Sequence, residues 1–127
     1  IVEEGRRISA VQFAKATFAR ASFTEGVRKF FSEYDLLLTP TLAVPPFAAG
    51  LEQPPSRAAG SRLAWVAFTY PFNLTGQPAA TLPCGFTRDG LPIGLQIVGR
   101  RLADATVLRA AAAYEAAAPW VERRPPL

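Results

Sequence analysis

The spacing of apolar residues divides the chain into segments of different period. Val11, Ala14, Phe18 and Ala21, then Phe30, Phe31 and Tyr34, recur at helical intervals, as one apolar helix stripe requires. Ser9 and Gln12 ahead of that stripe have the S-x-x-Q spacing of a capping box. There the Ser oxygen and the Gln side chain each satisfy a backbone donor left over at the helix start. One helix is therefore predicted over 9–34, with Gly26 as the place for a bend, since Gly costs about 1 kcal/mol relative to Ala inside a helix. Residues 1–8 are charged and read as a frayed lead-in. Leu36-Leu37-Leu38 is an unbroken apolar run rather than an alternating one, which predicts a short strand over 35–40, buried on both faces.

Residues 41–61 carry Pro45, Pro46, Gly50, Pro54, Pro55 and Gly60, and read as loop. A loop of about 20 residues is uncommon in a compact domain unless it is functional or disordered. A helix is predicted over 62–72, starting near Ser61 and carrying Leu63, Trp65, Val66, Phe68 and Thr69 ahead of Pro71. Asn73-Leu74-Thr75-Gly76 followed by Pro78 is a stop signal, because Gly takes a left-handed cap and Pro cannot continue the ladder. A hairpin follows over 79–98, with Asp89-Gly90 as a two-residue turn. Gly94 and Gly99 are predicted to admit close approach by neighbouring backbone. Asp104 is the expected N-cap of an alanine-rich helix over 104–118. Its inward stripe is Val107, Leu108, Ala111, Tyr114 and Ala118; Pro119 closes it and Trp120 packs back as a cover. Helices alternating with strands predict an α/β fold, part of a mixed β-sheet sandwiched by helices.

Composition narrows the function classes. At 127 residues the chain is one domain with room for a core. It begins with Ile, and so reads as a piece of a longer polypeptide. No apolar run approaches the roughly 18 to 20 residues of a membrane span, and the first residues lack a signal peptide's apolar segment. A cytoplasmic setting without membrane contact is expected. With one Cys and no His, the chain has neither an internal disulfide nor the commonest general base and metal ligand. No cofactor and no metal are expected. The net charge is +4, yet the arginines are scattered from Arg6 to Arg124 without aromatic residues interleaved as in nucleic-acid-binding motifs. Nucleic acid is not an expected partner.

Three runs carry a family resemblance: Asn73-Leu74-Thr75-Gly76-Gln77-Pro78-Ala79, then Leu82-Pro83-Cys84-Gly85-Phe86, then Asp89 to Gly99, DGLPIGLQIVG. Together with Tyr34–Thr41 upstream and Asp104–Ala111 downstream, they resemble the C-terminal part of the amidase signature family, over about Ser9 to Trp120. These are serine hydrolases of carboxamide C–N bonds, built on a mixed sheet sandwiched by helices. The resemblance implies a Ser nucleophile, a second Ser in a cis peptide bond, a Lys base and a Gly/Ser-rich segment for the oxyanion. A hydroxyl near its free pKa needs such a base, and the developing charge needs oriented donors.

This chain has no such Gly/Ser-rich run, and its serines (Ser9, Ser22, Ser32, Ser56, Ser61) and lysines (Lys15, Lys29) stand outside the family's catalytic context. No catalytic residue is expected here; the triad is expected upstream. What the segment is expected to contribute is pocket wall. By resemblance, the helix before Asn73 lines part of the acyl side, so Trp65, Phe68, Thr69 and Phe72 are the candidate substrate contacts. The 41–61 loop is expected near the entrance. Thr69, polar among bulky apolar neighbours, needs a partner, and a carbonyl one turn back is the simplest. Cys84, without any His to activate it, reads as a buried core thiol. Gln96 reads as bonded to backbone at the sheet face. In the glutaminase subunits of tRNA-dependent amidotransferases an Asp that reads the substrate's ammonium stands where this chain has Val66, so a neutral or apolar acyl group is the better expectation. Expected partners are the amide substrate and the upstream polypeptide, with homo-oligomers through exposed docking faces left open. The competing reading is a non-catalytic binding or assembly module built from the same fold piece.

Overall fold

The structure, a computed structural model, describes residues 2–55 and 63–123. Ser56, Ser61 and the start of the helix predicted over 62–72 lie outside the described residues. The lead-in is not frayed throughout: Val2–Arg6 forms a short helix, α1, with Glu3 and Glu4 in its first turn, where acidic groups suit the helix dipole. Helix α2 spans Ala10–Glu33 and runs unbroken through Gly26. Its predicted capping box is complete. The Gln12 N–H donates to Ser9 Oγ at 3.2 Å and the Ser9 N–H to Gln12 Oε1 at 2.8 Å.

Strand β1 (Leu36–Pro40) lies at the edge of a three-stranded sheet of order β1-β3-β2, with β2 at Ala79–Phe86 and β3 at Pro92–Gly99. Both pairings are antiparallel, so the sheet formed by the described residues contains no parallel pair. The unbroken Leu36–Leu38 run predicted burial on both faces, yet Leu38 is 59% exposed. An edge strand has a partner on one side only, and none of the described residues covers Leu38.

The helix expected to end before Pro71 begins there instead. A 3-10 turn spans Ala64–Val66, and α3 spans Tyr70–Thr75 with Pro71 in its first turn. Proline fits that position because the first-turn N–H groups have no intrahelical acceptor. Its other end is as predicted: Gly76 adopts φ 77° and its N–H returns to the Phe72 carbonyl at 2.8 Å. The hairpin turn is one residue longer than expected. Arg88, Asp89 and Gly90 form a three-residue loop closed by Thr87 N–H to Leu91 O (2.8 Å) and Gly90 N–H to Thr87 O (3.0 Å). Only Gly90 in that loop has positive φ (80°), the geometry of a type I turn followed by a left-handed residue.

Helix α4 spans Asp104–Ala117 with Ala103, not Asp104, at the N-cap. It packs on one face of the sheet. Val107 and Ala111 close over Leu82 and Ile97, with Leu36, Ala80, Leu95 and Tyr114 at the margin. Leu108, placed in the inward stripe by pattern, is exposed, because its turn position faces away from the Val107–Ala111 line; Ala118 lies beyond the helix and is also exposed. Gly99 is where helix and sheet meet: a Cβ there would sit 2.6 Å from Val107 Cγ2. The close neighbour is thus a side chain rather than backbone. Trp120 is half-buried as a cover, and its indole N–H is buried without a partner among the described residues. On the opposite face, α2 and α3 pack together, tied by Arg20 Nε to the Leu74 carbonyl at 2.8 Å.

Candidate substrate cleft

Strand register decides which side chains share the face away from α4. Thr39 pairs with Gln96, and Gln96 with Thr81, so the three lie in one row, since lateral partners point to the same side. Ile97 and Leu95, one residue away, point to the α4 core. Gln96 is 5% exposed. Its amide donates to the Phe68 carbonyl at 2.7 Å and to Thr39 Oγ1 at 2.9 Å. The expected backbone bond is therefore present, and it fastens the 3-10 turn and α3 to the sheet.

The next row is Thr41, Gly94 and Pro83. Thr41 continues the ladder one residue past β1, its N–H donating to the Gly94 carbonyl at 2.8 Å, and Pro83 is the register partner of Gly94 on β2. The Thr41 and Thr81 hydroxyls bond to each other. A Cβ at Gly94 would lie 2.6 Å from Thr41 Oγ1 and 3.1 Å from Thr81 Oγ1, so only glycine leaves room for the pair. Beyond this row a cleft of about 520 Å³ opens between the 41–46 loop and the hairpin. Its walls are Leu42, Val44, Pro45, Pro46, Pro83, Pro92 and Ile93, with the two threonines and Gly94 at one side.

The four residues singled out by resemblance form one contiguous stretch behind the loop. Trp65 is half-buried, its ring edge-on to Phe47 with centroids 5.6 Å apart, and its carbonyl accepts from the Ala43 N–H at 3.2 Å. Phe68 is half-buried and fixed through its carbonyl to Gln96. Thr69 donates its hydroxyl to the Val66 carbonyl at 3.0 Å, the predicted one-turn-back partner. Phe72 is half-buried and supplies the α3 C-cap carbonyl. The stretch and the cleft share the 41–46 loop as a common wall, but the cleft itself is lined by loop and hairpin residues. Thr39, Thr41, Thr81 and Gly94 are not among the sequence-derived candidates. A signal for them exists: isolated Thr residues in otherwise apolar strand segments, joined by register.

Chemically the cleft can bind but cannot move protons. Among the described residues its lining holds no acid, Lys or Arg, and Lys15 and Lys29 are exposed on α2. Cys84 corrects its expectation: it is exposed, with Sγ 3.5 Å from the Ile93 carbonyl, because β2 is an edge strand with a bulge between Pro83 and Gly85. Among the described residues no group of His, Cys, Asp and Glu could hold a metal ion, and no helix is long and apolar enough to cross a membrane. A second hollow of about 410 Å³ lies beside the end of α2 and is bordered by charge. Its cations are largely engaged. Arg28 forks onto Glu25 at 2.7 Å for both bonds, which holds the Glu25 carboxyl below its ordinary range and raises Arg28. Arg100 Nε caps α2 through the Phe31 carbonyl at 3.1 Å.

Comparison with known proteins places the chain. The family model described as Amidase matches residues 1–108. An acylamidase of Rhodococcus erythropolis is 41% identical over 98% of this chain and 27% of its own length. A glutamyl-tRNA(Gln) amidotransferase polypeptide from Synechococcus sp. is 44% identical over 91% of the chain and 22% of its own length. A bacterial aryl acylamidase of the amidase signature enzymes superposes with a TM-score of 0.83 at 33% identity, covering 98% of this chain and 28% of that one. A 6-aminohexanoate cyclic dimer hydrolase gives 0.77 at 34% identity, over 98% and 28%. The chain thus spans about a quarter of the length of these relatives. Family match, relatives and fold agree: this chain belongs to the amidase family.

Proposed function

We propose that this chain is part of a longer amidase that hydrolyses carboxamide C–N bonds. The Ser–cis-Ser–Lys triad is carried on polypeptide upstream, and this segment supplies scaffold and part of the substrate pocket. The observation that carries the reading is the family match over residues 1–108 in a chain that spans 27% of its acylamidase relative. The geometry fits that division of labour. Trp65, Phe68, Thr69 and Phe72 are half-buried, fixed from behind by Gln96 and the loop, and serve as pocket wall. Rigid walls hold the scissile carbonyl where a nucleophile can reach it and exclude water from the charge that develops. Val66 leaves no carboxylate in this wall to read an ammonium, so the acyl group is neutral.

The test is release of amine from neutral anilides by the longest natural polypeptide that contains this chain, with the 127-residue chain as the control. Release by the former and none by the latter is expected. Release by the chain itself, or no hydrolysis of any carboxamide by the longer polypeptide, overturns the reading.

A second reading is favoured by one observation: Val11, Phe13 and Phe18 are exposed along α2. An uncovered apolar face of that kind recruits a partner, as in a non-catalytic assembly module or a homo-oligomer. Sedimentation of the chain as a monomer with no binding of a hydrophobic dye rejects it.

A further inference from the structure

We propose that the cleft between the 41–46 loop and the β2–β3 hairpin binds the substrate's uncharged amide-bearing part, with the Thr41–Thr81 hydroxyl pair as its polar contact. The inference rests on the amidase reading above and names the substrate class of that protein.

Three features of the cleft select the ligand. Its volume, about 520 Å³, is that of a small-molecule site, and an apolar hollow with a few placed polar groups is the usual form of one. Its lining among the described residues contains no charged side chain, although the chain as a whole carries 14 basic and 10 acidic residues. An ionised ligand would lose its hydration there and gain no counter-charge. The polar contact has a definite capacity: each hydroxyl offers one donor and two acceptor sites. The mutual Thr41–Thr81 bond consumes one donor and one acceptor, so one O–H and free lone pairs remain. A secondary amide presents one C=O and one N–H, which this remainder can satisfy.

The site is also built to hold its shape. Thr41 is pinned through its backbone to Gly94 and Thr81 sits within β2. Gly94 leaves the space in which the pair stands. Pro45, Pro46, Pro83 and Pro92 form much of the wall, and prolines with fixed φ lose little further freedom when a ligand arrives.

The experiment uses the longest natural polypeptide containing this chain and two probes, 4-nitroacetanilide and its 4-carboxy counterpart. Binding is read by saturation-transfer NMR and hydrolysis is followed separately. Wild type should bind the neutral probe at least tenfold more tightly than the carboxylate. Ile93→Trp, which fills the cleft from its exposed rim, should weaken the neutral probe about tenfold, while Ile93→Val retains it. Thr81→Val, which removes a hydroxyl at near-constant shape, should weaken it about fivefold, as loss of one hydrogen bond predicts. Unchanged thermal melting of each variant shows that folding is intact. Amide hydrolysis with probe binding unmoved by both Ile93→Trp and Thr81→Val overturns the cleft and leaves the amidase reading standing. Equal binding of the two probes likewise overturns it. Binding that follows these variants without hydrolysis of any amide supports the cleft and overturns the amidase reading.

Discussion

On one face of the sheet Leu82, Ile97, Val107 and Ala111 close into a dry core under α4; on the other, Thr39, Gln96 and Thr81 run across all three strands and lead into an open cleft. The same three strands make both faces, one residue out of phase. The difference lies in what each face asks of its residues. The α4 face needs only volume that fits, and Gly99 is there so that Val107 can reach the sheet. The opposite face carries polar atoms away from water, which is tolerated because each finds a partner. The packed face holds the fold, and the hydrogen-bonded face positions a binding surface.

Damage to the packed face should have the largest consequence. Ile97 is 2% exposed at the centre of the α4 core. Ile97→Ala should cost about 4 kcal/mol, the sum of lost transfer energy and a cavity, read from urea unfolding of the chain. A loss under about 1 kcal/mol would mean that α4 does not close the core.

The next test removes the fastening of the other face. Gln96→Leu keeps the volume but leaves the Phe68 carbonyl and Thr39 hydroxyl without their donor. The expected cost is about 2 kcal/mol, together with faster hydrogen exchange in the 64–75 segment, whereas α4 amides stay protected. Equal loosening of both faces would show that they are one cooperative unit.

Thr81→Val separates binding from stability, because its target serves the ligand more than the fold. The hydroxyl is exposed enough to bond water when its threonine partner is lost, so the stability change should stay below about 1 kcal/mol. A large loss of stability would make the hydroxyl pair a structural clamp.

Most of the packed face is legible from local signals. Helical spacing and the capping box place α2, the Asn73–Gly76 stop places the end of α3, and alanine content places α4. The misses have a common cause. Leu38 reads as buried and Cys84 as core because apolar patterning shows what a residue could pack against, not whether that neighbour is on the same chain. Pro71 reads as a terminator although the same ring suits a first turn, and only tertiary packing chooses between them. The cleft is illegible for a different reason. Thr41, Thr81 and Gly94 meet only through a register spanning some 40 residues, and no local period encodes it. For Trp65, Phe68, Thr69 and Phe72 local reading supplies the turn and Thr69's partner; their role as pocket wall comes from family resemblance.

The smallest effect belongs to the Glu25–Arg28 pair, which lies beside the second hollow and serves neither face. Arg28's hydrogen bond holds the folded Glu25 carboxyl below its ordinary 4.5. A folded value below the unfolded one gives a contribution fully present above the unfolded value and lost as pH falls through the folded one. Stability of wild type relative to Glu25→Gln should therefore be greatest near neutrality and converge in acid. The pair is exposed to solvent, so the gap should be smaller than for any substitution above and should shrink further in 1 M salt. A gap that widened on acidification, or that ignored salt, would show Glu25 coupled to something buried, and the charged rim would then join the hydrogen-bonded face as part of the site.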